Sequence, residues 1–291
     1  MTSPDKVFPT VDEATQTFCI RHGEIKLECT AANSGRITVF ALADRNILTD
    51  ATVNPFNFGS TFWTSPQKDW EWPPPKEIDG SGVWQGGIQG DTITLTGPVC
   101  TTLGVQIVKR LKADAAGNSI LLEYEMRNTS SASLRYSHWE ISRVHPGGIT
   151  FYPMGLGAFP PALQSILPTQ EKEGITWFHH TAQTVTGEHK LFADGKEGWI
   201  AHLDHDVLFI KSFEDTPSDM AAPTEAEIEI YAVESYVEVE QQGAYRTIEP
   251  KQTATWPVRW YLKRLPKTIS RAVGSPSLVD FVRETIGSTH M

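Results

Sequence analysis

Cysteine is scarce in this 291-residue chain: Cys19, Cys29 and Cys100 are odd in number and form no CxxC pair. A disulfide framework and a thiolate metal site are therefore not expected. Cys19 and Cys29, in what read as neighbouring strands, are expected to be small core residues. Long apolar runs are missing too, and nothing approaches the roughly 20 residues a membrane helix needs. The opening MTSPDKVFPT lacks the basic region and apolar run of a secretory signal. The expected location is cytoplasmic with no membrane partner, although a chain whose signal peptide had been removed would read the same. Positive charge is in deficit, with 25 Lys and Arg against 35 Asp and Glu, a net charge of −10. Such a balance repels a phosphate backbone and argues against a nucleic-acid partner. There is no GxSxG elbow, HExxH, P-loop or GxGxxG, so the chemistries those motifs support are not indicated. His179-His180 and the His202–Asp206 stretch come nearest to metal ligands. Adjacent histidines on a strand point to opposite faces, and no metal site is expected.

What the chain has is period-two alternation. Ile25–Cys29, Gly35–Phe40, Thr92–Thr96, Val105–Leu111, Ser119–Met126, Ile228–Val233, Val237–Glu240 and Trp256–Leu262 all alternate or run apolar between turn residues. β-Branched and aromatic enrichment at spacings near ten residues predicts an all-β sandwich or barrel. The strongest helical signal is Ser277–Ile286, with Ser277 as N-cap and Gly287 as stop. No internal repeat or low-complexity linker divides the chain. A single domain over 1–291 is expected, its core at about 15–265 and a helical tail at about 275–287 packed on the outside. The closing Gly287-Ser288-Thr289-His290-Met291 reads equally well as native or as appended sequence.

Three stretches carry candidate chemistry. From Asn54 to Pro75 three tryptophans, Trp63, Trp70 and Trp72, fall within ten residues among prolines that cannot pair inside a sheet. A long, stiff aromatic connection is expected there, with at least one indole facing ligand. Indole faces stack on the C–H-rich faces of sugars, and Gln67, Lys68, Asp69 and Glu71 are placed to bind hydroxyls. In Ser137–Gly148, an extended chain puts His138, Glu140 and Ser142 on one face and Trp139, Ile141 and Arg143 on the other. That spacing suits a general acid with a polar anchor, or an ordinary solvated pair. In Tyr236–Gly243, Tyr236, Glu238 and Glu240 share a face. Neighbouring carboxylates raise one another's pKa, which makes a proton acceptor near neutral pH, unless the face is simply exposed. Trp139, Arg143 and Glu238 join Trp63, Gln67, Trp70 and Trp72 as expected substrate-binding residues.

These residues together resemble the galactose-mutarotase-like supersandwich proteins. The resemblance rests on the Asn128-Thr129 turn leading to His138-Trp139-Glu140, the late Glu240-Gln241 strand followed by Gly243, and Thr247–Gln252 with Trp256–Trp260. The Gly59–Gln67 segment with Trp70–Pro74 is similar to an uncharacterised branch of that superfamily. The resemblance implies a large two-sheet antiparallel supersandwich with few helices. It also implies a cofactor-free aldose 1-epimerase-like reaction, with Glu240 as base and His138 as acid; Glu140, on the same strand face as His138, is the alternative acid. The family's His-Gly-Gly motif has no counterpart here; Asp79–Trp84 stands in its place. The expected partner is a small sugar or sugar derivative, and the chain is expected as a monomer or homodimer. A non-catalytic carbohydrate-binding protein is the alternative, as is a polysaccharide lyase or hydrolase. The acidic balance and few basic residues, Lys68 and Arg143, count against an anionic uronate substrate.

Overall fold

A computed structural model describes residues 6–80, 82–157 and 167–287, so 288–291 of the closing segment lie outside the described residues. In chain order the strands are β1 (Thr10–Asp12), β2 (Thr17–His22), β3 (Ile25–Thr30), β4 (Arg36–Leu42), β5 (Arg45–Asn46), β6 (Ser60–Ser65) and β7 (Gln85–Gln89). Next come β8 (Thr92–Cys100), β9 (Val105–Asp114), β10 (Ser119–Asn128), β11 (Leu134–Val144), β12 (Ile149–Pro153), β13 (Thr169–Lys172) and β14 (Ile175–His179). The series ends with β15 (His189–Ala193), β16 (Trp199–Asp204), β17 (Val207–Ser212), β18 (Ile228–Val233), β19 (Tyr236–Gln242), β20 (Arg246–Ile248) and β21 (Thr253–Arg264), followed by helix α1 (Pro276–Gly287).

Two antiparallel sheets result. One has 11 strands in the order β1-β2-β3-β4-β6-β11-β19-β18-β15, with β5 on β4 and β20 on β11. The other has 10, in the order β13-β14-β12-β16-β17-β21-β10-β9-β8-β7. The expected all-β two-sheet sandwich with a short C-terminal helix is the observed architecture. Alternation explains it: Ile120, Leu122, Tyr124 and Met126 of β10 turn inward, as do Trp256, Val258, Trp260 and Leu262 of β21. Between the sheets Phe62 stacks on Tyr124 at 4.6 Å, and Phe40 and Phe209 pack on Trp260 at 5.1 and 5.0 Å. Cys29 and Cys100 are buried, while Cys19 is half-buried; all three are free thiols.

A second apolar layer covers the outside of the 10-stranded sheet. Leu278, Val279 and Val282 of α1 pack with Phe151, Trp177, Trp199 and Tyr261. The cap is Ser275 rather than Ser277: its Oγ accepts from the Leu278 amide at 3.3 Å, and Pro276 occupies the first helical position. No helix among the described residues is long and apolar enough to cross a membrane.

The tryptophan segment departs from expectation. Its middle part is not loop but β6, a strand central in the 11-stranded sheet and buried along its whole length. Ser60, Phe62 and Thr64 face the second sheet side, and Thr61, Trp63 and Ser65 the opposite side, which the following segment 66–80 helps to cover. Both faces are shielded, so the alternation of polarity that marks a half-exposed strand is absent.

The helix anchor generates a stability test. Leu278 is fully buried, and Leu278→Ala is expected to lower unfolding free energy by about 2–5 kcal/mol, read as a shift of the denaturant midpoint with unchanged slope.

Candidate functional site

Five neighbouring antiparallel strands, β6, β11, β19, β18 and β15, bring distant residues into rows on the outward face of the 11-stranded sheet. Trp63 pairs with Trp139, which pairs with Gln242. Ile141 pairs with Glu240, then Glu229, then Phe192. Arg143 pairs with Glu238, then Tyr231, then Lys190. Side chains alternate along each strand, so all of these point away from the second sheet.

Above the rows lies a cleft of about 510 Å³. Trp63 and Trp139 form its aromatic floor, their rings edge to face at 5.2 Å. Trp72 is 55% exposed and meets Trp63 at 5.6 Å, and Asn57 and Gln67 stand on the same side. Glu188, Lys190, Phe192, Tyr231 and Glu238 form the other wall.

Beneath this surface is an ionic cluster. The Lys190 ammonium lies 2.7 Å from Glu229 Oε2 and 2.6 Å from Glu240 Oε1. The second Glu240 oxygen accepts from Trp139 Nε1 at 2.8 Å, and Glu229 Oε1 accepts from Gln242 Nε2 at 2.7 Å. Lys190 also sits 5.3 Å from the Trp139 ring centre. Burial alone would lower the Lys190 pKa, but Glu229, Glu240 and Glu238 together raise it, so the lysine is firmly charged. Burial pushes the Glu229 carboxyl well above the ordinary range against the pull of Lys190. Burial likewise raises Glu238, opposed by Arg143. Arg143 Nε donates to Glu238 Oε1 at 2.8 Å, Nη1 donates to Thr61 Oγ1 at 3.0 Å, and the guanidinium lies 5.4 Å from the Trp63 ring.

Of the residues expected from sequence, Trp63, Gln67, Trp72, Trp139 and Glu238 line the cleft. Arg143 and Glu240 are fully buried just below it. Trp70 lies behind Trp63, its Nε1 donating to the Thr64 carbonyl at 2.9 Å. It packs the wall instead of lining it.

The two acid candidates need correction. His138 and Glu140 are on the opposite face of β11, between the sheets. Glu140 accepts from Tyr124 Oη at 2.5 Å, Gln241 Nε2 at 2.7 Å and Trp260 Nε1 at 3.0 Å, and pairs with Lys211 at 2.8 Å. A carboxylate so enclosed cannot reach a ligand in the cleft. His138 lies between the rings of Phe62 and Trp256, and burial lowers its pKa to about 3. Sequence reasoning missed Lys190, Phe192, Tyr231, Glu188 and Glu229. The first two share one face of the short run His189–Ala193, but five residues with mixed polarity gave no strand signal.

Two measurements follow from this geometry. His138 has a folded pKa of about 3 against an ordinary 6.5. The unfolded chain therefore binds the extra proton between those values, and stability is complete above pH 6.5 and lost as pH falls toward 3. His202, lowered to about 4 by burial, adds to the same limb. His138→Gln is expected to make the denaturant midpoint fall less steeply from pH 7 to 4 than in the wild type. Lys190→Met leaves Glu229 and Glu240 buried without their cation, and is expected to destabilise by about 3 kcal/mol. That is the lower end for a broken buried pair, because 21% of the lysine side chain is exposed; thermal or chemical denaturation reads it.

The chain matches the family described as Domain of unknown function (DUF4380) over residues 66–263. No curated protein sequence is significantly similar to it. Among solved structures it is similar to a galactose mutarotase-like protein from Lactobacillus casei ATCC 334, with a TM-score of 0.61 and 10% identity over 85% of this chain and 100% of that one. A galactose mutarotase related enzyme from Lactobacillus acidophilus gives 0.57 and 9%, covering 86% and 98%. A galactose mutarotase-like protein from Clostridium acetobutylicum gives 0.56 and 10%, covering 90% and 100%. At such identities the likeness is one of fold. The chain belongs to the DUF4380 family and carries a galactose-mutarotase-like sandwich.

Proposed function

We propose that the cleft on the outward face of the 11-stranded sheet binds a sugar. The observation that carries this reading is the meeting of Trp63, Trp72 and Trp139 with Glu238, Lys190 and Gln67 around one opening. Aromatic surface supplies apolar area to ring C–H faces, and a few fixed polar groups select hydroxyl positions. Solved relatives in fold carry galactose mutarotase in their names, which agrees with a carbohydrate ligand. The negative charge of the chain favours a neutral or amino sugar over a uronate.

A second reading, anomer interconversion, is favoured by the raised pKa of Glu238 in the wall of the cleft. A carboxylate more basic than usual accepts the proton of the anomeric hydroxyl. The Tyr231 hydroxyl, beside it in the same row, donates one to the ring oxygen. The ring opens, the C1–C2 bond rotates, and closure in reverse returns both protons, so the reaction is redox-neutral. In this scheme Glu238 takes the base role first expected of Glu240, whose two oxygens are engaged by Trp139 and Lys190. Glu240 is then a positioning residue.

Saturation-transfer NMR against a panel of hexoses and amino sugars tests binding, and anomer exchange in the same samples tests turnover. Trp72→Ala is expected to weaken binding about tenfold, the scale of one lost stacking contact. Glu238→Gln is expected to slow anomer exchange by about 10²–10⁴-fold, with His138→Gln close to the wild type. Absence of saturation transfer to every sugar would overturn the binding reading. Binding with exchange at the uncatalysed rate would leave a carbohydrate-binding protein.

A further inference from the structure

Beside the sugar cleft lies a second chamber of about 480 Å³, bounded by Phe56, Trp72, Pro73 and Pro74 with Arg36 and Asp79 at its base. The two adjoin, because Asn57 and Trp72 line both. Each alone has the size of a complete small-molecule site, roughly 300–1,000 Å³. Of the three exposed large aromatics among the described residues, Phe8, Phe56 and Trp72, two border the side chamber: Phe56 is 79% exposed and Trp72 55%.

Phe56 does not sit on loose chain. Arg36, only 3% exposed, donates from Nη1 to the Phe56 carbonyl at 2.8 Å and the Phe58 carbonyl at 3.1 Å. Asn54 Oδ1 accepts from the amides of Phe56 and Asn57, both at 2.9 Å. Asp79 connects the chambers: one oxygen takes Arg36 Nη2 at 2.7 Å, the other takes Trp63 Nε1 at 2.8 Å. A single buried carboxylate thus orients the floor of the cleft and, through Arg36, the wall of its neighbour. An exposed aromatic held on a fixed turn binds with little ordering entropy left to lose.

Resting on the sugar reading above, we infer that the ligand is a two-ring glycoside. One ring occupies the cleft, and a second ring with an apolar face lies in the side chamber against Phe56 and Trp72. The second ring is uncharged, because Asp79 neutralises Arg36 and two carbonyls occupy its Nη1. Orientation follows from the other end of the cleft. Past Gln67 and Lys190, beside Trp139 and Phe192, the lining adds Lys68, Glu71, Glu225 and Glu229, a more charged surface than Phe56, Trp72, Pro73 and Pro74 of the side chamber.

Calorimetric titration of the full chain with hexoses, the matching disaccharides and the matching phenyl glycosides tests this assignment. Two-ring ligands are expected to bind about tenfold tighter than the single hexose, the scale of one aromatic contact. Phe56→Ala, an exposed substitution, is expected to abolish that gain and leave hexose affinity unchanged. A gain for disaccharides alone identifies a second sugar; a gain for phenyl glycosides alone identifies an aromatic substituent. Hexose binding with no gain from either second ring, or a gain that survives Phe56→Ala, overturns the two-ring assignment and leaves the sugar site standing. Failure of every ligand to bind overturns both.

Discussion

Each carboxylate buried on the strands of the 11-stranded sheet is met by a cation from another strand of the sandwich, and the site depends on that pairing. A buried unpaired charge is expensive enough that the group neutralises or the structure rearranges. Here Glu140 is met by Lys211 between the sheets, Glu238 by Arg143, and Glu229 with Glu240 by Lys190. The pairs sit on both faces of the same strands. They hold β11 and β19 in one arrangement while fixing the groups beneath the cleft.

This division separates charges that support from charges able to act. Glu140 has both oxygens engaged inside the sandwich, and Glu240 has both engaged under the cleft. Glu238 is held by Arg143 through one oxygen and still lines the opening. Aromatic rings take part in the same arrangement, since Trp139 bonds Glu240 through its nitrogen and offers its face to Lys190. The floor of the cleft is thereby fixed by contacts made within the protein.

The sandwich was legible because alternation is a local property. Ser119–Met126 and Ile228–Val233 announce their strands without help from the rest of the chain. Alternation also sorted His138 and Glu140 onto one face and Trp139 and Arg143 onto the other. Which of those faces looks inward is a tertiary fact. β11 is covered on both sides and carries polar groups on both, so its sequence has no apolar side to point at the core. The expected acids fell on the inner face for that reason. Trp63 was visible by composition, yet its place in a central strand was hidden because β6 carries Ser and Thr on both faces. Lys190 lay in a strand too short to register.

The pairing of charges across β11 has a consequence for variation in the family. A slip of one residue would carry the Trp139 indole into the core and the Glu140 carboxylate out of it, breaking contacts on both sides at once. Strand-borne residues of the cleft are therefore tied to interior partners and cannot change alone. Asn57, Gln67 and Trp72 stand outside those strands on connecting segments. A substitution at such positions alters the wall of the cleft without breaking an interior contact of its floor.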